Sequence, residues 1–516
     1  MSCSMATGVT RRGLAVGLAA PITALAIALL SAVVAPAGAE DAPFGPDDPV
    51  ARDASKFDPR RPPEREMQIS VPDGFVVASV GDMIISRPLS QYAERLPAFK
   101  AVIERLQRAD VTFGNLETTI FDPRTFKGAP YSWDGDWTNA ALPPVARDLR
   151  AMGFALVARA NNHVMDWGPE GMRETSHWLD EADIVHAGVG ETHGLARAPQ
   201  YFESKAGRVA LVSIASTFRP TSESLPPLGA TPGRSGLSAL HLTQVVNVPP
   251  TALEPLARLQ CALYGKPCGE IPTEGRLFGT SYRQAERLSY DHVMNPEDLA
   301  EIHRSIRSAQ QNADFVIVSI HSHECSTGCD DDQAPRGPAV FLKQLAHAAI
   351  DSGADIFVTT GNHNLGPIEI YRSPTRGYRP IFYGLGNFFW SDIQELLPHD
   401  LFQGNRALLA DAWQDPAKAT EYDLTAPLNK AYFAHAFTFQ SVIAECRFAG
   451  NELAQIELHA IEEGYGTTLP ESGIPRVVTD EAVATDIFRQ ITDQTAQFGL
   501  PKLNLTRSKT TAVIRP

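Results

Sequence analysis

Six short apolar runs, each breaking into a cluster of Asp, Asn, Glu or His, constrain this chain more than any other feature. Phe75-Val76-Val77-Ala78-Ser79-Val80 runs into Gly81-Asp82, and Asp110-Val111-Thr112-Phe113 into Gly114-Asn115-Leu116-Glu117. Phe154-Ala155-Leu156-Val157 leads to Asn161-Asn162-His163, and Phe315-Val316-Ile317-Val318-Ser319-Ile320 to His321-Ser322-His323-Glu324. Ile356-Phe357-Val358 leads to Thr359-Thr360-Gly361-Asn362-His363, and Ile381-Phe382-Tyr383 to Gly386-Asn387. Runs of this length and residue type read as strands. Helix signals fall between them. One helix is expected over 139–151, one has Pro169 in its first turn, and one opens at Asn295-Pro296-Glu297-Asp298 with cap, proline and acids in order. A further helix covers 337–352 and stops at Gly353. Strands alternating with helices imply an α/β sheet, and its ligands bind at the C-terminal ends of the strands. Every polar cluster sits at that end, so together they read as one site gathered from across the chain.

The residue types in the clusters point to a metal. Asp82, Glu117, Asn162, His163, His321 and His363 supply oxygen and nitrogen donors. Imidazole favours Zn, Fe or Mn, while carboxylate and amide oxygen favour Mn or Mg. A divalent ion among them could polarise a carbonyl or phosphoryl oxygen. His321 and His323 alternate in the strand period and so share a face. His323 and Glu324 are candidates to move a proton and Asn387 to bind substrate, with Asn115 and Asn161 as polar neighbours. Taken singly, an Asp after a strand or an Asn-His pair is ordinary turn chemistry. Convergence of the whole set is what argues for a site. The chain has no GxSxG elbow, no Walker loop and no HExxH helix.

Composition narrows the class. With 43% hydrophobic and 20% charged residues the chain can bury a core, and a net charge of −15 with no long basic run argues against a nucleic-acid partner. Arg11-Arg12 precede an uncharged run to Ala35, and Ala37-Gly38-Ala39 follow, which is the order of a secretory signal over 1–39. The twin arginines suggest export of an already folded protein, to the periplasm or outside; an uncleaved membrane anchor is the alternative. Loss of that segment removes two arginines and no acid, taking −15 to −17. Residues 40–66 read as a Pro-rich linker, 67–400 as the main domain with an insertion at about 220–292, and 401–516 as a β/α extension capping the same domain. Cys261/Cys268 and Cys325/Cys329 each close a short loop, leaving Cys446 as a buried apolar residue.

The clusters, in their order and spacing, resemble the bacterial CapA family, the PgsA-like capsule and poly-γ-glutamate biosynthesis proteins. The carriers are Gly81-Asp82 with Arg87, Gly114-Asn115-Leu116-Glu117, and Ala160-Asn161-Asn162-His163 with Asp166 and Gly168. His321, Ala348-Ala349-Ile350-Asp351 before Gly353-Ala354-Asp355, His363 before Pro367-Ile368-Glu369, and Gly384-Leu385-Gly386-Asn387-Phe388 complete them. The resemblance implies a calcineurin-type metallophosphoesterase fold, an α/β protein with a β-sandwich flanked by helices. It implies that Asp82, Glu117, Asn162, His163, His321 and His363 form the metal site, and that Arg87 and Arg234 hold a substrate carboxylate. It also implies an anionic exopolymer or γ-linked glutamate peptide as ligand, with membrane synthesis or export machinery as partner. Two positions depart from the family pattern: Ile84 stands where a second donor is expected, and Thr360 stands for the first histidine of the later motif. Loss of both donors argues against a full two-metal centre and leaves one metal, or none, as the expectation. Two functional expectations follow: a metal-dependent amide hydrolase or transferase, or a non-catalytic protein that binds the polymer during export.

Overall fold

Alternation along the strands sorts their side chains into two faces, and two sheets pack face to face on the apolar ones. A computed structural model describes residues 70–516 apart from 132–137, 271–272, 278, 327–336, 392–402, 421–422, 424–425, 428–429, 432–433 and 468–469. The signal-like segment 1–39, the linker 40–66 and Cys329 lie outside the described residues.

The first sheet is centred on strand Val76–Ile85, which pairs in parallel with Val111–Leu116; the parallel strands Leu156–Ala158 and Val185–Ala187 follow outward. The second sheet runs Ile368–Ser373, Gly377–Phe382, Ile356–Thr360, Phe315–His321, Gly207–Ala215 and Gln200–Ser204 in space. Val77, Phe113 and Leu156 from the first sheet meet Leu211, Ile317 and Val358 from the second, all buried in one core. The opposite face of the first sheet, with Val80, Leu116 and Val157, packs on Phe99, Val102 and Leu106 of helix Pro97–Arg108 and on Val145 and Leu149 of helix Pro144–Met152. The far face of the second sheet, with Val212, Val318 and Phe357, packs on Ile302 and Ile306 of helix Pro296–Asn312 and on Phe341 and Leu345 of helix Val340–Ser352. Each of these fully buried side chains contributes about 1.5–3 kcal/mol. The β-sandwich flanked by helices that the resemblance implies is present.

Local signals are obeyed where they are strong. Asn295 Oδ1 accepts hydrogen bonds from the amides of Glu297 and Asp298, and Gly353 ends the Val340–Ser352 helix at φ 136°. The helix expected over 139–151 starts later, at Pro144, because Ala140–Ala141 first pairs with Thr119–Ile120. Helix Pro97–Arg108 went unrecognised, although Phe99, Val102, Ile103 and Leu106 recur at helical spacing.

The C-terminal segment enters the first sheet as well as covering it. Gln440–Ala449 pairs antiparallel with the first half of Val76–Ile85, and Glu452–Glu462 extends the sheet beyond it. Helix Glu481–Gln497 then adds Ala484, Ile487, Phe488 and Ile491 to the shared core. The 220–292 insertion builds a small sheet of its own from Leu242–Val248, Glu274–Leu277, Thr280–Gln284 and Ser289–Met294. Cys261 and Cys268 are joined beside it, Cys325 is disulfide-bonded, and Cys446 is free and buried. Among the described residues no helix is long and apolar enough to cross a membrane.

One close approach shapes the functional edge. The second half of Val76–Ile85 takes Asn387–Ser391 as its neighbour, and the carbonyl of Gly386 presses against Gly81. A β-carbon at Gly81 would stand 1.8 Å from that oxygen, a distance only glycine permits. Gly81→Ala is expected to lower stability by about 3 kcal/mol, read as a fall in the urea midpoint. Gly194→Ala, whose β-carbon meets nothing within 4 Å, should leave that midpoint unchanged or raise it.

Candidate metal centre

Strand register delivers the first donors. Pairing sets Asp82 level with Asn115 on one side and with Asn387 on the other. Asp82 is buried; its Oδ1 accepts from Asn115 Nδ2 at 2.8 Å and its Oδ2 from the Gly361 amide at 2.8 Å. Gly361 follows the last residue of strand Ile356–Thr360, so this carboxylate joins the two sheets. Glu117, also buried, holds Oε1 3.8 Å from His163 Nε2 and 3.8 Å from His321 Nε2. His321 is the last residue of its strand, and its Nε2 lies 3.0 Å from His323 Nε2. His363 adopts φ 52°, a left-handed backbone that is rare outside glycine. That turn aims Nδ1 at Asn387 Oδ1, 2.9 Å away, and at Asp82 Oδ2, 3.5 Å away.

His163 is held from behind. Its Nδ1 lies 2.8 Å from Asp166 Oδ2, and Asp166 Oδ1 accepts from Arg219 Nη1 at 2.8 Å. The Asn139 amide donates to the same carboxylate at 2.7 Å. A carboxylate on one ring nitrogen fixes the orientation of the other, which here faces Glu117. Asn162 is buried beside it, and its Oδ1 has no hydrogen-bond partner among the described residues. Arg219 was not foreseen. It follows strand Gly207–Ala215, a seventh apolar run that breaks into the polar residues Ser216-Thr217 and carries the same signal as the other six.

The remaining expected residues are placed as follows. Glu324 turns to hydroxyls: Oε2 accepts from Ser216 and Ser322 at 2.7 Å each, and Oε1 from Thr217 at 3.0 Å. Thr217 Oγ1 also accepts from the His323 amide at 2.8 Å, so Glu324 braces its neighbour. Arg87 Nη2 donates to the Pro470 carbonyl at 2.8 Å. Arg234 closes its own loop, donating to the carbonyls of Glu223 and Pro220 and pairing with the Glu223 carboxylate at 3.3 Å. None of these guanidinium bonds reaches the imidazole cluster.

The donor set fits a divalent ion. One ligand atom from each of Glu117, His323 and His363 lies within 4.8 Å of the others, and the same holds for Asp82, Glu117 and His321. Burial pushes the His321 ring well below the usual histidine range, and the nearby rings of His323, His363 and His163 push it the same way. A ring held neutral keeps a lone pair for a ligand. A third acidic group, Glu445, Glu457 and His459, is different, because Arg105 Nη1 already lies 3.0 Å from His459 Nε2 and 3.6 Å from Glu445 Oε1.

The family profile of the bacterial capsule synthesis protein PGA_cap matches residues 76–391, the stretch that contains every donor above. The chain belongs to the PGA_cap family. Uncharacterized protein y4sH of Sinorhizobium fredii is 41% identical over 79% of this chain and 86% of its own length. The capsule biosynthesis protein CapA of Bacillus anthracis is 25% identical over 61% of this chain, which spans 59% of that relative. A solved 5′-nucleotidase precursor from Thermus thermophilus is similar at 12% identity and a TM-score of 0.26, covering 66% of this chain and 59% of that one.

Two expectations come from this geometry. The unfolded His321 ring binds a proton near pH 6.5 and the folded one does not, so stability falls as pH drops below about 6.5. In chelator, the urea midpoint should fall between pH 7 and pH 5, and His321→Gln should flatten that slope. Asp166→Asn, which leaves His163 badly oriented, is expected to weaken metal binding about 10- to 100-fold by calorimetric titration.

Proposed function

We propose that this chain is a metal-dependent hydrolase or transferase acting on a γ-linked glutamate polymer in the cell envelope. The observation that carries the reading is the convergence of two buried carboxyl groups, Asp82 and Glu117, with His321, His323 and His363 at one sheet edge. Family membership supports the polymer class, since the PGA_cap description names capsule synthesis and one Bacillus subtilis relative is called a PGA biosynthesis protein. The signal-like order of residues over 1–39 is consistent with an envelope location.

The residues divide the work. Asp82, Glu117, Asn162, His321 and His363, with His163, would hold the ion, which when bound supplies Lewis-acid polarisation of an amide carbonyl. His163 is oriented by Asp166 through Nδ1, which leaves Nε2 facing Glu117 as the donor atom. Asn387 fixes His363 through Oδ1 and is itself anchored by donating to the Thr438 carbonyl at 3.0 Å. Arg87 and Arg234 lie outside the cluster and would meet a polymer carboxylate only by giving up their main-chain contacts.

Ile84 and Thr360, which bring no carboxylate or imidazole, favour the second reading, a polymer-binding protein without turnover. One experiment separates the two. Purified protein is analysed for bound Mn, Zn, Fe and Mg, then incubated with poly-γ-glutamate and the polymer sized by gel filtration. Shortened polymer, lost in the His163→Ala and His321→Ala variants, is the expected result. Unchanged length with retained binding assigns the polymer-binding role, and protein without stoichiometric metal overturns the metal-dependent reading.

A further inference from the structure

His323 lies outside the expected ligand set, yet its surroundings are built to hold its ring in place. Its amide is tied to Thr217 Oγ1 at 2.8 Å, and Thr217 is held in turn by Glu324 at 3.0 Å. Its ring meets the His363 ring edge-on with centroids 5.6 Å apart. The contact with His321 is the telling one. Two imidazole Nε2 atoms at 3.0 Å place lone pair against lone pair unless a proton or a cation lies between them. Nitrogens bound to one ion at about 2.1 Å stand about 3 Å apart at the right angle of an octahedral site and about 3.4 Å apart in a tetrahedral one, so the observed spacing suits two adjacent ligands.

The backbone opposite keeps the space open. Gly361 has φ 96°, and a β-carbon there would stand 2.9 Å from Cε1 and Nε2 of His321 and 2.9 Å from Cδ2 of His323. Any side chain at 361 would therefore collide with both rings. Thr360, the residue before it, reaches only the far nitrogen of His321, with Oγ1 3.3 Å from Nδ1.

We propose that His323 is a further metal ligand, sharing an ion with His321 and lying within reach of Glu117 and His363, in the space that Gly361 leaves open. On this assignment the pair of histidines two residues apart chelates from the end of one strand. The Thr217–Glu324 brace positions the second ring rather than transferring a proton. The inference rests on the metal reading above and adds a donor to it.

Co(II) titration of the full-length, chelator-treated protein tests it, read by visible absorption and by direct metal analysis. The wild type is expected to take up the ion, and His323→Gly to raise its dissociation constant at least tenfold, about the lower bound for partners that only orient a ligand. Imidazole added to His323→Gly should then restore both affinity and absorption, by filling the space with the missing donor. Unchanged affinity in His323→Gly overturns the proposal while leaving the metal centre standing. A loss that imidazole does not restore assigns the ring a packing role and also overturns it. A wild type that takes up no Co(II) removes the metal reading itself.

Discussion

The Asp82 carboxylate is the contact on which the functional edge depends. One oxygen takes an amide side chain from the neighbouring strand of its own sheet, and the other takes a main-chain N–H from the opposite sheet. Both bonds are 2.8 Å and both are buried, so neither can be replaced by water without cost. The register of two sheets is thereby checked at one residue. A one-residue slip of Val76–Ile85 would turn Asp82 to the helix face and leave the Gly361 amide without its acceptor. The irregularity around Gly81 serves the same end, because there the strand exchanges one neighbour, Gln440–Ala449, for another, Asn387–Ser391. That exchange brings Asn387 beside Asp82.

A second dependence runs through the end of strand Gly207–Ala215. Thr217 and Arg219 lie two residues apart and reach opposite flanks of the cluster, Thr217 to the His323 amide and Arg219 to Asp166 behind His163. One short segment therefore sets the orientation of two imidazoles that come from different sheets. Buried acid nearby is handled differently. Glu463 is fully buried, its carboxyl is pushed well above the usual range by that burial, and the charges of Glu462 and Asp82 add to the push. Burial thus works against a further negative charge in a region already rich in carboxyl groups. Among the described residues, Arg219 beside the cluster is already paired with Asp166, so its charge is committed to positioning His163.

The core strands and the donors were legible because both are local patterns. An apolar run followed by Asp, Asn or His is written in consecutive residues, and parallel pairing carries such ends to one edge. The same logic reached Asn295, whose cap is complete within four residues. What was not legible depends on contacts between distant segments. Glu324 sits next to His323 in sequence, but its carboxylate is taken by hydroxyls from Ser216 and Thr217, more than a hundred residues away. Arg234 and Arg87 look like free cations in sequence, and only the folded chain shows the carbonyls they serve. The C-terminal strands read as a cap because nothing in Gln440–Ala449 announces that its partner is the first strand, over 350 residues earlier.

Charge gives the placement of these groups a further meaning. The chain carries −15 overall, so a polyanionic ligand would meet repulsion from the surface at large. That repulsion is screened beyond about 8 Å at physiological ionic strength, while a buried or half-buried cluster is screened far less. Attraction for an anion therefore has to be local, and the arginines nearest in sequence to the motifs are bound elsewhere. On the proposed reading Asp82, Glu117 and the imidazoles around them would hold a divalent ion, which would supply both the local positive charge and the Lewis acidity that the arginines do not. Fixed donors from both sheets then matter more than surface charge, because an ion held by one sheet alone would move whenever the sheets shift. The bond from Gly361 to Asp82 ties one donor to both sheets, above the apolar core that packs them together.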